Sequence, residues 1–245
     1  MNKVNQILTG FFFLSLLISC GDEPLPGGLI LDMKAVGSQS SIGARRSATG
    51  MEFSKIMIGL VKLELETENE NEQERERGEE DLEEEIEFKG PYKVNLITGE
   101  SAPEFGKSLT APGVYTEIEF KLGPVLEQGK TIDIAFTMDG KNYEITSEIE
   151  RLEIELEQSE GFKVEENLLN TVLVQINLDI LFANVDLSSA TADQDGVIRI
   201  NEESNASILE ALLDAFDDSC DGGKDEDDDD KIDGKDDDDD DGDDD

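Results

Sequence analysis

The sequence predicts an all-β fold: an antiparallel β-sandwich of about eight or nine strands, one C-terminal helix and a disordered acidic tail. Three observations point there. Apolar residues recur at every second position in segment after segment, as half-buried strands require. Gly, Pro, Asn and Asp punctuate those segments at short intervals. Only one stretch near the C-terminal end, past the last strands, sets its apolar residues at helical spacing.

Taken in order, the chain begins Met1-Asn2-Lys3 and continues into the nearly all-apolar run Ile7 to Ile18. That run is far short of the roughly 20 residues a membrane-spanning helix needs. It predicts the apolar core of a secretory signal over residues 1–19. Leu17-Ile18-Ser19-Cys20 then reads as a lipobox. Cleavage before Cys20 leaves a thiol for thioether attachment of diacylglycerol and a free amine for a third acyl chain. Each buried methylene contributes about 0.8 kcal/mol, so several chains anchor stably where one does not. Residues 20–28, polar and rich in Gly and Pro, are the lipidated tether.

The sandwich is expected over residues 29–216. Leu29, Leu31, Met33 and Ala35 share one face of a first strand. Val114 to Leu122, Ile132 to Met138 and Val172 to Phe182 repeat the alternation. Asp139-Gly140 is a two-residue hairpin signal, and Gly90-Pro91, Ala111-Pro112-Gly113 and Gly123-Pro124 are further turn signals. Two segments change phase: Ile56 to Leu65 near Gly59, and Tyr143 to Leu156 near Arg151. A bulge at each point restores the inward face. From residue 67 to 82 glutamate keeps its alternation while the apolar residues vanish. This is an acidic insertion extending a hairpin, because Glu at i and i+4 would repel in a helix. Ile208, Leu209, Leu212, Leu213 and Phe216 lie on one helical face, with Ser204 or Asn205 as cap. Residues 217–245 are Asp-rich and predict the disordered tail.

Composition narrows the function. The chain carries 61 acids against 20 bases, a net charge of −41, with no histidine and no tryptophan. The charge concentrates in residues 64–87, with 14 acids and two arginines, and in residues 217–245, with 19 acids and three lysines. Such a field repels nucleic acid and attracts divalent cations. Without histidine, Ser-His-Asp and Cys-His catalysis and imidazole metal ligation are excluded. If Cys20 carries lipid, Cys220 stands alone among acids, with no disulfide partner and poor nucleophilicity. Paired carboxylates are unavoidable among so many acids, so they do not indicate glycoside hydrolysis. No phosphate loop or nucleophile elbow is present, and no residue is assigned as catalytic.

One segment suggests a ligand. Thr191, Asp193, Asp195 and Glu202 fall at the first, third, fifth and twelfth positions of an EF-hand-like loop, with Gly196 at the sixth. Calcium is the ion this spacing implies. Thr191 is a neutral substitute for a carboxylate, and Arg199 brings a positive charge. The competing reading is a simple Asp195-Gly196 turn into a strand from Val197 to Ile200.

Phe53 to Ile58, Tyr92 to Gly99, Pro112 to Ile118 and Thr171 to Asp179 together resemble a family of bacterial lipoproteins built on a domain of unknown function. The resemblance covers residues 28–187 and implies a β-sandwich at the cell envelope, without supplying a catalytic residue. A Gly/Ser stretch from Gly37 to Gly50 replaces the turn that usually follows the first strand.

The expectation is therefore a non-enzymatic outer-membrane lipoprotein, held to the membrane by lipid on Cys20 and binding a protein partner at the envelope. Gly21 lacks the aspartate that retains some lipoproteins at the inner membrane, and Asp22-Glu23 favours display at the cell surface. A calcium-responsive surface module and a glycan-binding lipoprotein of a nutrient-uptake system are the alternatives. The second needs exposed aromatic rings, and the chain has three tyrosines and 11 phenylalanines to offer.

Overall fold

The computed structural model describes residues 27–37, 50–67, 86–110, 112–225 and 232. The signal segment, Cys20, the insertion beyond Thr67 and most of the Asp-rich tail lie outside them. In chain order the strands are β1 (Gly27–Val36), β2 (Glu52–Thr67), β3 (Ile86–Asn95), β4 (Glu100–Ala102), β5 (Lys107–Thr110) and β6 (Gly113–Leu122). Then follow β7 (Ile132–Met138), β8 (Lys141–Ser147), β9 (Leu152–Val164) and β10 (Leu169–Asn177). Helix α1 (Leu178–Ala183), β11 (Ile198–Ile200), α2 (Ala206–Asp214) and β12 (Cys220–Asp225) complete the described elements.

The fold is an all-β, two-sheet sandwich. One sheet has the order β12-β10-β1-β5. The larger one runs β11-β8-β7-β2-β3-β4, with β6 pairing to β2 and β9 to β6. Because β2 is 16 residues long, its first part pairs with β7 and its second with β6. Alternation dictates the core. Leu29, Leu31 and Met33 of β1 and Val172, Val174 and Ile176 of β10 meet Leu63, Leu65, Ile118, Phe120 and Ile154 in one apolar cluster. Asp139 and Gly140 both take positive φ (51° and 74°), the backbone that a tight two-residue hairpin requires.

Several details differ from expectation. Twelve strands are present among the described residues, and two pairings are parallel: β1 with β10 and β11 with β8. Period two is the same in both orientations, so alternation cannot tell them apart. Gly90-Pro91 lies inside β3 rather than at a turn, facing the bulge where β2 shifts register between Leu60 and Lys62. The segment from Tyr143 to Leu156 is two strands, not one bulged strand.

Residues 178–183, expected to extend a strand, form α1. The Asn177 side chain caps it, accepting from the Asp179 and Ile180 amides at 3.0 and 3.2 Å, and Leu178, Leu181 and Phe182 are buried. The Asp-rich segment also contributes a strand, since β12 pairs with the edge of β10. Its glycines make this possible: a side chain on Gly222 would strike Ile118, and one on Gly223 would strike Ile232.

Candidate functional site

Three places gather functional side chains. The first is a groove of about 790 Å³ between α2 and the β8–β9 connection. Parallel pairing of β11 with β8 sets Asn201 and Glu202 beside Ser147 and Glu148. The Glu202 Oε1 accepts from the Ser147 hydroxyl at 2.9 Å and from the Glu148 amide at 2.8 Å. Burial pushes the Glu202 carboxyl up, but hydrogen bonds from the Glu148 amide, its own amide and Ser147 outweigh that and hold it below the ordinary value. Asn201 Oδ1 accepts from the Glu203 and Ser204 amides at 2.9 and 2.8 Å and so turns the chain into α2. Ile149, Leu152, Ala206, Leu209 and Leu213 make the groove apolar. Glu148, Glu202, Glu203, Glu210 and Asp214 line it as well, and no lysine or arginine does.

The second place is the turn from Thr191 to Glu202. Arg199 occupies it. Its guanidinium reaches Asp193 Oδ2 at 2.7 Å, Asp195 Oδ2 at 2.9 Å and Glu144 Oε2 at 3.2 Å. The hydrogen bond from Arg199 holds the Asp195 carboxyl below its ordinary value, helped by the Val197 amide. Thr191 is tied to Asn205, whose Oδ1 accepts from its amide at 3.0 Å and its hydroxyl at 3.3 Å. Glu202 is turned away to Ser147. The structure therefore pairs Asp193 and Asp195 through an arginine and does not bring Thr191 and Glu202 to them. Asn205 starts α2 in a left-handed conformation (φ 56°), but its side chain makes no cap hydrogen bond. It bridges the Thr191 and Arg199 carbonyls instead, at 3.1 and 2.6 Å.

The third place escaped the sequence. On the outer face of β3, β2, β6 and β9, cross-strand register stacks glutamate on glutamate. Glu87, Glu64, Glu119 and Glu155 form one row. Lys89, Lys62, Lys121 and Glu153 form the row on one side of it, and Glu66, Glu117 and Glu157 the row on the other. Like charges directly opposite are destabilising, and the lysines answer the first glutamate row. Lys62 pairs with Glu64, and Lys121 lies 2.6 Å from Glu119, 3.0 Å from Glu153 and 3.8 Å from Glu64. Hydrogen bonding with Glu119, Arg151 and Lys121 holds Glu153 down at about 2. Glu117 lies on the far side from the lysines. Burial raises its pKa, and Glu66, Glu155, Glu119 and Glu157 raise it further. Carboxylate oxygens of Glu66, Glu117 and Glu119 all lie within 4.8 Å of one another, the one such group of acids among the described residues. Oxygen donors at that spacing suit a hard divalent cation. Glu64, Glu66 and Glu87 alternate visibly in the sequence, but only the register of four strands brings them beside Glu117 and Glu119.

No ring platform accompanies these places. Tyr92, Tyr115 and Tyr143 are buried, and no aromatic side chain is exposed among the described residues. Cys220 donates to the Phe216 carbonyl at 3.1 Å, and burial pushes its thiol up to about 12.

The chain matches no protein-family model, no curated protein and no solved structure. The likeness to envelope lipoproteins accordingly rests on residue pattern alone, and the groove's chemistry must speak for itself.

Proposed function

We propose that this chain is a lipid-anchored module of the bacterial envelope that binds a protein partner and performs no chemistry. The anchor is read from Leu17 to Cys20 behind their apolar run. The observation that carries the binding role is the groove beside α2, where apolar side chains meet five carboxylates and no cation. Its volume falls in the range of roughly 300–1,000 Å³ typical of ligand clefts. The complementary partner is a basic amphipathic segment, with apolar residues for the floor and Lys or Arg for the rim. The non-enzymatic part is supported by the absence of histidine from the chain and by a Cys220 thiol that stays protonated at neutral pH.

Titration with a synthetic helical peptide of leucine and lysine tests the groove. Binding is expected to weaken by roughly tenfold or more in Glu203→Lys/Glu210→Lys, a loss of about 1.4 kcal/mol. Salt should weaken it too, as screening of exposed charges requires. Equal affinity of that variant, or of a peptide with glutamate in place of lysine, sinks the reading. The anchor is tested separately: Cys20→Ser should leave the membrane fraction and lose incorporation of labelled fatty acid. Protease shaving of intact cells then reports display at the surface.

A further inference from the structure

Six large apolar side chains are exposed among the described residues, and four of them gather at one end of the sandwich. They are Leu109 (78% exposed), Leu168 and Leu169 (52% each) and Val114 (49%). Register explains the grouping. Gly28 of β1 pairs with Leu109 of β5 on one side and with Leu169 of β10 on the other. Its amide also donates to the Leu168 carbonyl at 2.8 Å. With no side chain on Gly28, the Leu169 side chain can lie over its backbone, where a Cβ would come within 3.0 Å of Leu169 Cδ1. A side chain on Gly27 would meet Val164, whose partner in β6 is Gly113, the neighbour of Val114.

This apolar end is also where the tether enters. Gly27 is seven residues from Cys20. At roughly 3.3–3.6 Å per extended residue, that length lets β1 start no farther than about 25 Å from the lipidated residue. A domain held so close presents this end to the bilayer before any other. Charges of both signs border it: Lys107 and Lys163 flank the leucines, Lys163 lies 3.5 Å from Glu165, and Glu166 is exposed in the turn that carries Leu168. On the outer face of the other sheet the row of Glu66, Glu117 and Glu157 lies nearest this end, next to the Thr67–Tyr115 pair, and the row of Glu64 and Glu87 lies further along.

We infer that Leu109, Leu168 and Leu169 form a membrane-seating patch, dipping into the headgroup and acyl boundary of the bilayer that carries the lipid on Cys20. The inference rests on the anchored reading and adds an orientation to it: the small sheet's β1 entry faces the lipid, and the Asp139-Gly140 hairpin points away. That hairpin sits beside Glu52, at the opposite end of the 16-residue β2. Scattered apolar residues on a surface need no explanation, but a contiguous patch marks an interaction site.

The chain contains no tryptophan, which supplies the test. Leu109→Trp, Leu169→Trp and Lys141→Trp are prepared as full, lipid-modified chains in phosphatidylcholine vesicles whose acyl chains carry bromine. Residues buried ~5–10 Å into the boundary are quenched on contact with bromine, and a roughly twofold loss of emission is expected at 109 and 169 against none at 141. Equal, weak quenching at all three positions in protein that floats with the vesicles overturns the seating and leaves the anchor standing. Concentration-dependent, bromine-insensitive emission at 109 means a second copy covers the patch, and overturns it too. Protein that neither carries lipid on Cys20 nor floats with vesicles removes both the anchor and the seating.

Discussion

The two halves of β2 share an apolar inner face and differ on everything around it. The first half carries Phe53 into an aromatic cluster. Its ring lies 5.3 Å from Phe136 and 5.9 Å from Phe182, and Phe136 stacks on Tyr143 at 4.8 Å. On its outer face opposite charges meet, with Lys55 Nζ 3.3 Å from Asp133. The second half carries Leu63 and Leu65 into the same core but turns Glu64 and Glu66 toward glutamates of the neighbouring strands. One strand thus shows packing that is indifferent to pH continuing into a face whose stability depends on protonation. The core tolerates the repulsion because inner and outer faces are independent in a pleated sheet.

Removing the packing should give the largest effect. Phe136 is 2% exposed and touches three other rings. Phe136→Ala is expected to cost about 3–5 kcal/mol. Urea unfolding should show the same loss at pH 5 and pH 7.5; a loss that changes strongly between them would mean the two halves are coupled.

Next comes the lysine row. Lys121→Met removes the cation nearest Glu119, leaves Glu153 with Arg151, and leaves Glu64, only 4% exposed, with Lys62 alone. A fully buried broken pair costs more, but the Lys121 side chain is 22% exposed, so the expected loss is about 1–3 kcal/mol. Hydrogen bonds with Glu119 and then Glu153 raise the Lys121 pKa above 10.5. Its stabilisation is therefore full below that ordinary value and fades as pH climbs through the raised one. As acid protonates the glutamates, Glu153 last because it is held at about 2, Lys121→Met should approach the parent's stability. A loss that persists below the glutamate range would assign Lys121 a packing role instead.

These halves were unequally legible in the sequence. The alternation of Phe53, Ile56 and Ile58, and of Leu63 and Leu65, announces strands because burial on one face is local information. The glutamate rows are not local: Glu117 and Glu119 meet Glu64 and Glu66 only through pairing across about fifty residues of chain. The same limit hid the parallel β1–β10 pairing, which joins Gly28 to Leu169. β12 was hidden for another reason. Its CDGGKD segment has no apolar stripe, and it becomes a strand because β10 offers an edge and glycine lets Ile118 approach. At the groove, the helical spacing of Leu209 and Leu213 was visible, whereas the carboxylates around it come from three separate segments.

A smaller effect, of opposite sign, is expected at Glu117. Its folded pKa is raised, chiefly by burial and then by Glu66, so the folded state binds the proton more tightly than the unfolded chain. Ionisation at neutral pH therefore destabilises the fold, and the penalty disappears as pH falls below the ordinary value of 4.5. Glu117→Gln should stabilise the protein by about 0.5–1 kcal/mol at pH 7, the scale of a relieved cross-strand repulsion. The gain should be absent in acid. Thermal melts at both pH values decide it, and an unchanged or lower melting temperature at pH 7 would show that the carboxylates of this row hold a counter-ion.

The smallest effect separates this glutamate face from the turn at Thr191 to Glu202. Both collect acids, but the turn already contains its cation: Arg199 bonds Asp193 and Asp195 together. Thr191 is held by Asn205, and Glu202 by Ser147 and the Glu148 amide. For calcium to enter, the arginine would have to leave two carboxylates and Glu202 would have to abandon two hydrogen bonds. Asp193→Asn/Asp195→Asn is accordingly expected to change the melting temperature by the same amount with and without millimolar calcium at matched ionic strength. A calcium response present in the parent and lost in that variant would show that the turn releases Arg199 to take the ion, and would make the turn, rather than the glutamate face, the cation-sensitive part of the molecule.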